Sequence, residues 1–311
     1  MQLYAGFDLG GTQLKYGLVD VEGSVILDNT VKSPQKTEDL FPLFKTLLGN
    51  FTETQQQALQ AVGLALPGIF SQQEQKIIQS PNYPSLDGKE LVPLLNPFIH
   101  KPFFINNDAN LAAYGEYCQG AGKGAQSLVL LTIGTGVGSG IILDGRIWQG
   151  ACGFAGELGH VCVNPEGDRC NCGSRGCLET EVSAAKIASL YRRFSRSEKG
   201  ISSKSVFLAA KKGDKAALQA FAHVGYYLGI GLSLTVNFLN PEKILLGGGV
   251  MESSEFLMPP ALEEAKKRAY SASFACCRIE RTQLGNKAGF IGAALWARDN
   301  LAETSHASPQ V

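Results

Sequence analysis

No stretch of this chain approaches the run of about 18 apolar residues that a membrane-spanning helix needs, so no membrane partner is expected. The first residues, MQLYAGFDLGG, lack a basic segment followed by an apolar one. No secretory signal is read there, and a cytoplasmic protein is expected. Excess charge of either sign is missing too, with 28 Lys and Arg against 28 Asp and Glu. That balance gives no hint of nucleic acid or an anionic membrane as partner. The phosphate-binding pattern G-x4-G-K-[ST] does not occur. Histidine is scarce at four, and cysteine stands at eight in 311 residues. In a reducing compartment those thiols read as metal ligands, core residues or free groups rather than disulfides. The length suggests two domains at roughly 150 residues each. With 44% apolar and 18% charged residues, the chain can bury a large core.

The scarce residues gather in one place. GHVCVNPEGDRCNCGSRGCLE, residues 159–179, holds one histidine and four cysteines. Cys170, Cys172 and Cys177 form a C-x-C-x4-C knuckle, with Gly173 and Gly176 allowing tight turns, and His160 lies ten residues before Cys170. Three thiolates and one imidazole are a preferred tetrahedral set for structural Zn2+. A reduced, cysteine-rich surface loop is the plainer reading. Cys162 reads as a core thiol, and Cys118, Cys152, Cys276 and Cys277 as small buried hydrophobes. Glu157 precedes the knuckle and Glu179 follows it. A metal clip would bring both carboxylates together, where they can accept hydroxyl hydrogen bonds from a polyol such as a sugar. The second ring nitrogen of a metal-bound His160 could donate to a hydroxyl as well.

Glycine, with 36 residues, clusters in reversals. YAGFDLGGTQLKYGLVDVEGSVI (4–26) and LVLLTIGTGVGSGIILDGRIW (128–148) both read as strand, Gly/Thr-rich turn, strand, tight turn, strand. The pair makes the chain look like two related halves. Such turns can cradle phosphates with backbone N–H groups, and tight structural hairpins are the alternative. GTGVGSG runs on into a strand, so it is not the dinucleotide fingerprint, which opens a helix. PEKILLGGGVM (241–251) ends an apolar strand in glycines that let a flat ring or ribose approach, or serve a plain strand-to-helix turn.

KPFFINNDANLAAYGEY (101–117) reads as a short strand, NND, then a helix. Asp108 stands near the helix start, where it can cap free N–H groups. It can also serve there as a general base, kept ionised by the helix dipole, with Asn106 or Asn107 binding substrate alongside. Asp8, ending the first strand, suits a water-mediated partner for Mg2+ and phosphate.

In this order, DLGGT, ALPG, NNDAN, TIGTGVGSG, GELGH, CNCGSRGCLE and LLGGG resemble the bacterial ROK sugar kinases (repressors, open reading frames, kinases), over roughly residues 3–298. The resemblance implies an α/β, actin-like, hexokinase-type ATPase fold of two related α/β domains with ATP in the cleft between them. The smaller domain would be 1–117 with 288–311, and the larger, with the knuckle, 118–287. By that likeness, Asp8, Gly10, Gly11 and Thr12 form one phosphate loop, and Thr132, Gly134, Thr135 and Gly136 the other. Gly247, Gly248 and Gly249 face adenosine. Gly68, Asn107, Asp108, Glu157, His160 and Glu179 match sugar-site residues, with Asp108 as base. His160, Cys170, Cys172 and Cys177 match the zinc ligands. The implied reaction is ATP-dependent, Mg2+-assisted phosphorylation of a hexose 6-hydroxyl, glucose first. N-acetylglucosamine, N-acetylmannosamine and fructose are alternative acceptors, polyphosphate an alternative donor, and a non-catalytic sugar sensor the alternative class. A homodimer or homotetramer is implied.

Two departures stand out. Gln13 follows GGT where many relatives carry lysine or asparagine, with Lys15 close by. The loop 80–92, SPNYPSLDGKELV, lacks the tryptophan of many glucose kinases. The first phosphate strand starts at about residue 3, which leaves no room for the helix-turn-helix of the repressor members. Residues 183–240 read as mostly helical, with KKGD (211–214) as a stop and restart and RRFSRSEK on a solvated face. His223 reads as packed or surface, 286–300 as a final helix, and LAETSHASPQV as a loose tail in which His306 is no ligand.

Overall fold

The structure, a computed structural model, describes residues 1–71, 73–80, 82–196 and 201–306. In chain order it has strands β1 (Leu3–Leu9), β2 (Gln13–Asp20) and β3 (Val25–Lys32), then helices α1 (Thr37–Gly49) and α2 (Glu53–Ala58). Strand β4 (Leu59–Leu66), the hairpin β5 (Ile69–Ser71) and β6 (Lys76–Gln79), helix α3 (Leu91–Leu95), strand β7 (Phe103–Asn107) and helix α4 (Asp108–Gln119) follow. Next come β8 (Leu128–Ile133), β9 (Val137–Leu143) and β10 (Arg146–Ile147), then α5 (Leu178–Val182), α6 (Ala184–Ser195), α7 (Ser203–Lys211) and α8 (Lys215–Leu239). The chain ends with β11 (Lys243–Gly247), α9 (Ser254–Arg268), α10 (Ser271–Cys276), β12 (Arg278–Arg281) and α11 (Ala288–His306).

Two compact units emerge. The first comprises residues 1–124, 140–155 and 283–311; the second comprises 125–139 and 156–282. The two five-stranded sheets have the same order when their strands are matched in sequence: β3-β2-β1-β4-β7 and β10-β9-β8-β11-β12. That shared order is the structural form of the repeat expected from the two glycine turns.

In the first sheet β1 pairs antiparallel with β2 and parallel with β4, which pairs parallel with β7. The side chains alternate between two faces. Leu3, Ala5, Phe7 and Leu9 join Leu40, Phe41, Phe44 and Leu47 of α1 in one buried core. The other face is bare at its centre, because Gly17, Gly6 and Gly63 are register partners on three adjacent strands. A Cβ on Gly6 or Gly63 would overlap the backbone of α11 at Phe290 or Ala293. The helix backbone therefore lies directly on the sheet.

The second unit is built mostly from helices, with strands β8, β11 and β12. Gly213 adopts φ +79° between α7 and α8, and Asp214 caps α8 by accepting the Ala217 N–H at 3.0 Å. KKGD is thus the stop and restart expected of it. Among the described residues no helix is long and apolar enough to cross a membrane. Arg192, Arg193 and Arg196 are exposed, and residues 197–199 of that basic run lie outside the described residues.

Two expectations need correction. Of the five cysteines read as core thiols, only Cys277 is buried; Cys118 is half-buried, and Cys152, Cys162 and Cys276 are exposed. The assignment for Cys162 assumed strand alternation, but His160 ends a 3-10 turn and Cys162 lies in irregular backbone with a single bridge to Cys177. The tail is not wholly loose either. α11 continues to His306, since no proline or glycine interrupts it there; residues 307–311 lie outside the described residues.

Candidate functional site

In the first unit, β1 runs through Asp8 and reverses at Gly10–Thr12 into β2. The Gly10 N–H donates to Gln13 O at 3.0 Å, closing the reversal. Ser33 holds it from behind: its hydroxyl donates to Gly10 O at 2.6 Å and its N–H to Thr12 O at 3.0 Å. Gly11 and Thr12 remain exposed. The Asp8 carboxylate lies against Gly289, where a Cβ would overlap it. Burial pushes its pKa up to about 6, against the opposing charge of Lys15 at 3.9 Å.

The start of α4 shows which residue caps the helix. Its N-cap is Asn107, whose Oδ1 accepts from Ala109 N at 2.9 Å and Asn110 N at 3.1 Å. Asp108 is instead the first helical residue, with its own Oδ1 accepting from Ala109 N at 2.9 Å. The amide has the right length and two lone pairs for the cap. Asn107 Nδ2 also donates to Gly68 O at 2.9 Å, which leaves one amide proton for a ligand. Gly68 has φ +112°, and a Cβ there would overlap Gln79 O. Asn106 is buried; its Oδ1 accepts from Asn107 N at 2.8 Å and Asn110 Nδ2 at 3.2 Å. Of the two asparagines, Asn107 is the one with exposed surface.

In the second unit, the turn after β8 is closed by Gly134 N donating to Gly136 O at 2.9 Å. Thr132 Oγ1 donates to Gly138 O at 3.3 Å, and Gly134 O accepts from Ala184 N at 2.8 Å. Thr135 is exposed at the tip. The glycines after β11 divide by role. A Cβ on Gly248 (φ +86°) would overlap Ile133 and one on Gly247 would crowd Thr282, whereas Gly249 faces open space among the described residues.

The knuckle does gather its four candidate ligands. His160, Cys170, Cys172 and Cys177 present donor atoms all within 4.8 Å of one another. Cys172 and Cys177 sulfurs are 3.6 Å apart, as are Cys170 Sγ and His160 Nδ1. Tetrahedral Zn2+ with bonds of about 2.3 Å to sulfur and about 2.0 Å to nitrogen requires ligand separations of about 3.5–3.8 Å. The donor set fits that ion, and so do these two separations. His160 turns Nδ1 to the thiols and Nε2 toward Glu157, 3.8 Å from Oε2. Partial burial holds the Glu157 carboxyl above the usual range; His160 opposes this and nearby Glu179 adds to it.

Three motifs of the second unit meet at Val137. Its N–H donates to Glu179 Oε2 at 3.0 Å, and Glu179 Oε1 lies 4.0 Å from Cys170 Sγ. A Cβ on Gly159, in GELGH, would overlap Val137 O. One residue of the second glycine turn thus touches both the segment leading into the knuckle and the carboxylate leaving it.

Sequence reasoning missed the braces. Ser139 Oγ donates to Gly156 O and accepts the Leu158 N–H at 3.1 Å, fixing the approach to His160. Glu181 is fully buried and accepts Asn164 Nδ2 at 3.1 Å, with Lys186 Nζ 3.1 Å from its other oxygen and 2.8 Å from Asp168. This network ties α5 to the loop between His160 and Cys170. Its one visible signal was a second glutamate two residues after Glu179.

The sequence profile of the ROK family matches residues 4–300. The glucokinase of Halalkalibacterium halodurans is 34% identical over 93% of each chain. The xylose repressor of Bacillus subtilis is 31% identical over 96% of this chain and 77% of its own. A ROK family glucokinase from Streptomyces griseus, solved in complex with glucose and AMPPNP, superposes with a TM-score of 0.83 at 29% identity, covering 96% of this chain and 99% of that one. The fold is the actin-like ATPase fold. With matching motifs, matching topology and a family profile spanning nearly all of its length, this chain belongs to the ROK family.

Proposed function

We propose that this protein is a hexose kinase that transfers the γ-phosphoryl group of ATP to a 6-hydroxyl, with glucose as the favoured acceptor. The observation that carries the reading is the junction at Val137, where a glycine turn suited to phosphate is hydrogen-bonded to a carboxylate suited to sugar. Relatives named glucokinase over nearly the whole length support the acceptor.

In this reading Asn107, Glu157, His160 and Glu179 bind and orient the sugar hydroxyls. His160, Cys170, Cys172 and Cys177 would hold Zn2+ as a structural ion, since all four positions are protein ligands. Asp108 accepts the O6 proton as that oxygen bonds to the γ-phosphorus and the bond to the β-phosphate oxygen breaks, releasing ADP. The exposed N–H groups of Gly11 and Thr12, and those around Gly134 and Thr135, hold phosphate oxygens. Asp8 would hold water-coordinated Mg2+, which supplies charge neutralisation on the phosphates. Gly249 leaves room for adenosine.

The test is coupled ADP release with ATP or polyphosphate, across glucose, mannose, fructose, N-acetylglucosamine and N-acetylmannosamine, with Asp108→Asn beside the wild type. Glucose should give the highest kcat/KM, and Asp108→Asn should lose roughly 100-fold or more in kcat while still binding sugar. Preference for an N-acetylhexosamine would overturn the acceptor. Sugar binding without turnover on any donor would favour a sensor, the reading that the xylose repressor relative supports.

A further inference from the structure

Cys162 stands beside the knuckle but outside its donor set. The gathered donors are His160, Cys170, Cys172 and Cys177, whereas Cys162 is an exposed thiol two residues after His160. The backbone fixes its place. Val163 N donates to Gly176 O at 2.8 Å and Leu178 N donates to Val161 O at 2.9 Å. Between these two bonds Cys162 faces Cys177 as an antiparallel bridge. Gly176 permits the close approach: its φ is +64°, and a Cβ there would overlap Asn164 O.

The two bonds flank the cysteine pair, so the pair is of the non-hydrogen-bonded kind. Residues opposed in this way have Cα atoms about 4.5 Å apart and side chains on one face. A disulfide spans about 4.4–6.8 Å between Cα atoms. The backbone therefore already holds the two residues within range of that bond. Among the described residues no other bridge or strand pairing opposes two cysteines. The two thiols differ in access. Cys162 is exposed, so a dissolved reagent meets it first. Cys177 is fully buried, with Sγ 3.6 Å from Cys172 Sγ and 3.4 Å from His160 O. An accessible thiol beside a resolving partner is the arrangement of redox-sensitive cysteines.

We propose that Cys162 and Cys177 form a thiol–disulfide exchange site that takes small disulfides, such as oxidised glutathione, and thereby ejects the metal of the knuckle. The Cys162 thiol gives its proton to water and its sulfur attacks one sulfur of the small disulfide, whose S–S bond breaks and releases one thiolate. The Cys177 thiolate then attacks the Cys162 sulfur, the mixed disulfide breaks, and the second small thiolate leaves. The Cys162–Cys177 bond has formed. The protein has lost two electrons, and the small disulfide has been reduced to two thiols. Ligation needs a thiolate, so Cys177 no longer serves as a ligand and three of the four donors remain. An excess of small thiol reverses both steps.

The proposal rests on the metal reading of the knuckle for ejection and on the backbone alone for the disulfide, so the two are measured separately. Neither readout depends on hexose kinase activity. The native protein is treated with oxidised glutathione, its remaining thiols are alkylated, and its unreduced tryptic peptides are mapped by mass spectrometry. Cleavage after Arg169 and Arg175 puts Cys162, the Cys170 and Cys172 pair, and Cys177 on three different peptides. Zinc released during the treatment is read with a chromophoric chelator. The map should show a Cys162–Cys177 link, and the wild type should release zinc at least about tenfold faster than Cys162→Ser. Dithiothreitol with added zinc should restore the starting state. Cys177 linked to any other cysteine, or glutathione left on Cys162 without a link, overturns the exchange site. Equal release from Cys162→Ser overturns the ejection. So does wild-type protein that holds no zinc as purified, and there the map still decides the exchange site.

Discussion

Asp8 lies where the fold works against its charge. Its pKa is raised from 3.8 to about 6 by burial, with Lys15 only partly offsetting this. A carboxyl whose folded pKa is raised binds its proton more tightly folded than unfolded. It therefore destabilises the fold as pH rises from about 4 to about 6, and by a constant amount above that. A shift of about two units corresponds to about 3 kcal/mol. Asp8→Asn keeps the size and removes the charge, but it also ends the pairing with Lys15. We expect the variant to be more stable than wild type by about 2 kcal/mol at pH 7.5, with the gain shrinking toward pH 4. Urea unfolding at pH 4.5, 6 and 7.5 measures this, and a gain that does not change with pH refutes it. The sequence placed Asp8 correctly at the end of a strand beside a glycine turn. It could not show the burial, because the residue against the carboxylate, Gly289, comes 281 positions later. Which residue caps α4 stayed open in the sequence: Asn107 and Asp108 are both good capping types, and only backbone geometry chooses between neighbours.

At the scale of elements, the knuckle was legible because its chemistry is local. Four candidate ligands within eighteen residues can be counted, and turn glycines mark where the loop folds back. What the knuckle touches was not legible. Glu179 reaches Val137, 42 residues earlier, and Glu181 reaches Asn164 and Lys186. These contacts make a prediction about the metal. Cys172 is exposed whereas Cys170 and Cys177 are buried, so Cys172→Ala removes a ligand without opening the core. Metal analysis should find about one zinc per wild-type chain and a markedly lower content in Cys172→Ala. Calorimetry should show sugar affinity falling about tenfold or more, the worth of one charge-assisted hydrogen bond to Glu157 or Glu179. Unchanged sugar affinity in zinc-free protein would separate the metal from the sugar. The same reasoning explains why the thiol assignments failed outside the knuckle: burial of a lone cysteine depends on what packs over it, and residue type carries no such information.

For the whole molecule, the repeat of glycine turns anticipated two related halves, and the two five-stranded sheets share one strand order. The closing of the first unit by its last helix came only from family resemblance, and its physical cause is the bare stripe Gly17, Gly6 and Gly63. Three glycines 11 and 57 residues apart carry no pattern in a linear reading, yet they align in register across three strands. α11 fills that stripe with its own backbone, and at Gly292 it also meets α4 so closely that a Cβ would overlap Leu111 O. Phe290, Ile291, Ala293, Ala294 and Leu295 are all buried there. Burying one large apolar side chain contributes about 1.5–3 kcal/mol, so losing Phe290, Ile291 and Leu295 alone costs about as much as the usual stability of about 5–15 kcal/mol. A chain ending at Thr282 also gives up the Gln283 and Leu284 amides held by Glu116. We expect residues 1–282 alone to be insoluble or to lack a cooperative thermal transition. Co-expression of 283–311 as a separate peptide should restore soluble protein, because the stripe needs a helix backbone and not a covalent link. A soluble 1–282 fragment with a sharp transition near that of the full chain would mean that the first sheet covers its glycine face by other means.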